Sequence, residues 1–116
     1  MIYREINGVY LGFFSGLYGN TVGIFHLIDG NFAGADLGGA LYDGFFEISA
    51  NSDELSGSVK ITTKQGASLI TGASSDLPIS YVTTVTLKVP LENESHHEIV
   101  TSTGQVNVRF EKLRAI

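Results

Sequence analysis

Short runs in which apolar and polar residues alternate follow one another along the chain, separated by glycine, asparagine and aspartate. A period of two marks a half-buried strand, because successive side chains leave opposite faces of an extended backbone. The first run, Gly8 to Ser15, puts Val9, Leu11 and Phe13 on one face and Tyr10 and Phe14 on the other. After a turn over Gly16 to Asn20 comes Thr21 to Ile28, and then Asp29-Gly30, a two-residue hairpin signal in which both residue types tolerate a positive φ. Asn31 to Asp36 is the third run, ended by Leu37-Gly38-Gly39. The fourth, Leu41 to Ala50, sets Tyr42, Phe46 and Ile48 against Asp43, Glu47 and Ser49. An acidic turn, Asn51 to Glu54, leads to the fifth, Leu55 to Thr63, where Leu55, Val59 and Ile61 oppose Ser56, Ser58, Lys60 and Thr62. Lys64 to Pro78 reads as a long loop with one irregular helical turn at Ala67 to Ile70. Ile79 to Val89 is the sixth run, with Tyr81, Thr83, Val85, Leu87 and Val89 on one side and Pro90 as its stop. The last pair is His96 to Thr101 and Gln105 to Leu113, joined around Ser102-Thr103-Gly104.

Eight strands with mostly short connections, and no convincing amphipathic helix, predict an all-β fold: an eight-stranded up-and-down antiparallel barrel. A two-sheet sandwich is the alternative. Gly12, Gly23, Gly34, Gly44 and Gly57 each fall inside a strand, and glycine there marks a bulge or bend. Repeated over successive strands, it suits a sheet coiled tightly enough to close.

Composition narrows the partners. The chain has 116 residues, expected to form one domain over 1–116, and its twelve acids against seven Lys and Arg give a net charge of −5. A nucleic-acid surface needs clustered cations, so no nucleic acid is expected as a partner, whereas a basic protein partner is compatible. No cysteine is present, which removes disulfides and thiolate metal sites. No apolar stretch approaches the roughly 18 to 20 residues of a membrane helix, and the start of the chain does not resemble a signal peptide. No membrane association and a cytoplasmic location are therefore expected.

Candidate chemistry is thin. His26 lies in the apolar stretch Ile24-Phe25-His26-Leu27 and reads as a packed or interface residue. His96 and His97 adjoin Glu94 and Glu98, but neighbours on a strand face opposite ways and do not chelate together. Asp36, beside Gly38-Gly39, is a turn former. No serine sits in a nucleophile elbow, and Gly30-Asn31-Phe32-Ala33-Gly34 has no helix after it to bind a phosphate. No enzyme activity, catalytic residue, cofactor or metal is expected. The first hairpin is more informative, because both its faces are apolar: Ile24 and Ile28 oppose Phe25 and Leu27 as Val9, Leu11 and Phe13 oppose Tyr10 and Phe14. An outward apolar face marks an interface, so a homodimer through Val9, Leu11 and Phe13 is expected unless the loop from Lys64 to Pro78 covers them.

Several features taken together resemble the GrlR-type negative regulators of type III secretion and their small bacterial barrel relatives. They are the Asn7-Gly8-Val9-Tyr10 strand, the apolar strand ending in Asp29-Gly30, the Gly34-Ala35-Asp36 step, Tyr42-Asp43-Gly44 and the acidic turn before the fifth strand. The likeness covers the first sixty or so residues best. It implies a lipocalin-like barrel, a homodimer and a non-catalytic role as an anti-activator that sequesters a transcriptional activator through four consecutive acidic residues. The corresponding turn here is Asn51-Ser52-Asp53-Glu54, so partner binding falls on Asp53 and Glu54 alone. The second functional expectation is a carrier for a small apolar ligand, with Tyr42, Phe46, Val59, Ile61, Tyr81 and Val85 lining the interior. A cavity of several hundred cubic ångströms favours that reading, and a filled interior eliminates it.

Overall fold

The computed structural model describes residues 3–17, 19–49, 53–63, 79–101 and 104–116. Eight strands form one antiparallel sheet: β1 (Gly8–Gly16), β2 (Gly19–Ile28), β3 (Asn31–Asp36), β4 (Leu41–Ile48), β5 (Glu54–Thr62), β6 (Ser80–Lys88), β7 (His97–Thr101) and β8 (Gly104–Ala115). Their spatial order is β6-β5-β4-β3-β2-β1-β8-β7. The first strand pairs with the last, so the sheet curls into a nearly closed barrel, with β6 and β7 as the two strands at its seam.

The period-two pattern places the faces correctly. Tyr10, Phe25, Leu27, Phe32, Phe46, Leu55, Val59, Ile61, Val85, Leu87, Val108 and Phe110 are buried inside, while Ser56, Ser58, Lys60, Thr84 and Thr86 face outward and are exposed. Strand ends shift by one or two residues from the expectation, because they are set by turn hydrogen bonds rather than by alternation. Ser49, for example, donates its N–H to the Glu54 carbonyl (3.0 Å), closing the β4–β5 turn earlier than Ala50. The expected loop from Lys64 to Pro78 lies outside the described residues.

One correction concerns helices. A single turn, α1 (Tyr3–Ile6), precedes β1. Four residues are too short to show a helical period, and isolated turns are unstable in water, so its anchors are tertiary. Ile6 is buried, and the Tyr10 hydroxyl donates to the Ile6 carbonyl at 2.6 Å. The Tyr3 hydroxyl donates to the Phe46 carbonyl (3.2 Å) and accepts from the Ile48 N–H (3.3 Å). Together with buried Leu91, from a short 3-10 turn at Leu91–Asn93, α1 stops one end of the barrel. At the same end Asn7 clamps the β2–β3 turn. Its side chain accepts the Asp29 N–H (2.9 Å) and donates to the Asp29 carboxylate (3.1 Å), holding Asp29 at φ 49° and Gly30 at φ 88°.

The strand-interior glycines have a more specific cause than bending alone. Phe25 is fully buried, and Gly12, Gly23 and Gly34 surround its ring. A β-carbon would lie 2.9 Å from the ring at Gly12 and 2.8 Å at Gly23, and at Gly34 it would meet both the ring (2.6 Å) and the Ile24 carbonyl. Gly57 serves the curvature. A β-carbon there would strike the Phe45 carbonyl and come within 2.9 Å of Phe46 Cα on the neighbouring strand.

Candidate functional site

At the barrel end opposite α1 the described residues do not fill the interior. A cavity of about 100 Å3 runs inward, bounded by Thr21, Asp36, Thr63 and Thr101 near the strand ends and by Val85, Leu87 and Phe110 deeper in. All six residues expected to line an interior, namely Tyr42, Phe46, Val59, Ile61, Tyr81 and Val85, do so. They come together because each occupies an inward position of β4, β5 or β6. Gly57 stands opposite Val85 and Gly44 opposite Val59 in the ladders, and a β-carbon at either would meet backbone of the neighbouring strand, the Phe45 or the Ser58 carbonyl, rather than the cavity.

Size separates this cavity from both sequence-based extremes. It is neither filled nor several hundred cubic ångströms, and it falls below the roughly 300 Å3 at which drug-sized pockets begin. A single water needs about 10 to 15 Å3 measured the same way. The space therefore suits a molecule of about six to ten non-hydrogen atoms.

Sequence reasoning missed the polar feature of the lining. Asp36 does form the β3–β4 turn: its N–H donates to the Ala40 carbonyl (3.0 Å), and its Oδ1 accepts the Ala40 N–H (3.0 Å). The other carboxylate oxygen, Oδ2, accepts the Tyr42 hydroxyl at 2.7 Å, so the half-buried carboxylate belongs to the cavity as well as to the turn. Burial, followed by the hydrogen bond and negative charge of Asp36, pushes the Tyr42 phenol above its ordinary range. Tyr42 therefore stays a neutral donor at any physiological pH. The signal was available, because residues 36 and 42 share the inward parity across a tight turn. Phe14 stacks on Tyr42 with ring centroids 5.9 Å apart, and Phe25 meets the same ring edge-on at 5.1 Å.

The other expected site residues lie elsewhere. Val9, Leu11 and Phe13 face outward on β1 and are half-buried, with the Arg109 guanidinium 4.3 Å above the Phe13 ring. His26 is not packed inside. It is exposed, because it shares the outward parity of Ile24. His97 points inward, its Nε2 3.0 Å from the Leu91 carbonyl, while His96 is exposed. Asp53 is exposed and Glu54 half-buried at the α1 end. Both border a shallow polar depression with Glu94 and Lys88, and Lys88 is the ladder partner of Glu54. Among the described residues no helix is long and apolar enough to cross a membrane.

The fold and the cavity lined by its described residues define a class: a nearly closed eight-stranded antiparallel barrel with a small, mostly apolar cavity. Comparison with models of known families, with curated proteins and with solved structures returned no match to this chain.

Proposed function

We propose that this chain is a non-catalytic binding barrel that holds a small, mostly apolar molecule in its interior. The observation that carries this reading is the cavity of about 100 Å3, walled by apolar and aromatic side chains with a few polar groups near its mouth. That combination is the usual chemistry of a small-molecule site. Titration calorimetry with benzyl alcohol tests it on the wild type and on Val85→Phe. Val85 lines the cavity, and the larger side chain there extends into the space. Saturable binding by the wild type, weakened at least about tenfold in the variant, is expected. Equal binding by both proteins would place the probe outside the barrel.

A second reading, association with another copy of the chain, is favoured by the outer face. Leu41, Ala35, Ile24 and Leu11 form one row across β4, β3, β2 and β1, with Leu41 58% and Ile24 56% exposed. On β8 the row continues to Glu111, opposite Leu11 and 4.0 Å from Arg109, and on its other side Asp43 of β4 is the ladder partner of Lys60, so charges of both signs border the apolar strip. Leu11→Glu should sediment as folded monomer where the wild type sediments as dimer. An unchanged dimer would assign the contact to another face. The anti-activator role implied by the GrlR-type resemblance would rest on Asp53 and Glu54, whose depression also holds Lys88. The interior therefore has the stronger support.

A further inference from the structure

Resting on the interior-site reading, we infer that the molecule held there is a small apolar ammonium ion, with the Asp36 carboxylate as its counter-charge. Among the described residues lining the cavity, Asp36 is the one formally charged group. Every other polar side chain there is a threonine or tyrosine hydroxyl, and no lysine, arginine or histidine takes part. The structure gives Asp36 no cationic partner among the described residues. Its donors are the neutral Ala40 N–H and Tyr42 hydroxyl, one on each oxygen. A carboxylate has about four acceptor positions, so each oxygen keeps capacity for a further donor.

This arrangement sorts ligands by charge. A carboxylate ligand would bring a second negative charge beside Asp36, with no cation among the described residues to receive it, and would lose hydration without compensation from them. A hydrocarbon would fill the volume but gain nothing from the remaining lone pairs of Asp36. A protonated amine gives charge-assisted hydrogen bonds to those lone pairs, and its apolar body lies along Val59, Ile61, Val85 and Phe110. Size sets the rest. About six to ten non-hydrogen atoms corresponds to a single-ring or short-chain primary amine rather than a lipid.

The test uses four matched single-ring probes at neutral pH: benzylamine, benzyl alcohol, toluene and benzoate, each titrated into the intact protein by calorimetry. Benzylamine should bind at least about tenfold more tightly than benzyl alcohol, and benzoate should not bind detectably. In Asp36→Asn, which keeps an oxygen for the Ala40 N–H and so preserves the turn, benzylamine should lose that advantage while benzyl alcohol stays within about threefold. Tyr42→Phe is the second variant, because it retains the carboxylate and frees one of its lone pairs. It should keep the preference for the amine. If the neutral probes bind and benzylamine binds no more tightly, the charge assignment falls and the interior site stands. If none of the four binds, both fall.

Discussion

Phe25→Ala should be the most damaging single truncation in the barrel, lowering unfolding free energy by about 3 to 5 kcal/mol. That is a large share of the roughly 5 to 15 kcal/mol by which domains are stable at all. The ring is fully buried and touches rings from the four strands nearest to β2. It stacks on Phe32 with centroids 4.9 Å apart and meets Phe14, Tyr42 and Phe110 edge-on at 5.6, 5.1 and 6.5 Å. The cost of a truncation depends on how far the surroundings can collapse. Here collapse is limited, because three of the ring's neighbours, Gly12, Gly23 and Gly34, have no side chains to move into the void. Urea unfolding followed by far-UV circular dichroism measures the effect. A loss below about 1 kcal/mol, the range of an isosteric swap, would mean that the ring is not the centre of the packing.

Gly57→Val sets two principles against each other. Strand propensity favours valine over glycine by up to about 1 kcal/mol, so a flat strand at this position would be stabilised. The distances give the opposite sign: the first added carbon already meets the Phe45 carbonyl and Phe46 Cα of β4, and backbone cannot rotate away as a side chain can. Separating β4 from β5 should cost about 2 to 3 kcal/mol, the upper part of the overpacking range. Thermal unfolding of the variant reads the sign directly. A raised midpoint would contradict the tight coil assigned to this part of the sheet.

Much of this architecture was legible because alternation is a local signal. The limits of β3, Asn31–Asp36, agree with the run read from the residues, since an Asp-Gly hairpin bounds it on one side and a Gly-Gly turn on the other. The inward set Tyr42, Phe46, Val59, Ile61, Tyr81 and Val85 follows from parity alone. Three things were not legible, each for a physical reason. Four-residue α1 is held by Tyr3 and Ile6 contacts that are distant in sequence, and it has too few residues to show a period. The strand-interior glycines signal curvature, but their shared relation to the Phe25 ring depends on register, which pairs Gly12 with Gly23 and Phe25 with Gly34. The volume inside depends on how tightly the strands coil and how rings interleave, which no single run encodes. His26, read as a packed or interface residue, is decided in its first half only: it is exposed and not packed inside. An apolar neighbourhood in sequence suggested packing, yet one position of parity separates it from Phe25 and Leu27 and places it outside.

The claim on which the functional account depends is that apolar space exists inside the barrel and can be entered. Crystals held under xenon gas test it directly, since xenon occupies dry apolar cavities without needing a polar partner. The account predicts anomalous density among Val59, Val85 and Phe110 in the wild type, displaced in Val85→Phe. An interior closed by repacked side chains, with no xenon between those residues, would contradict it.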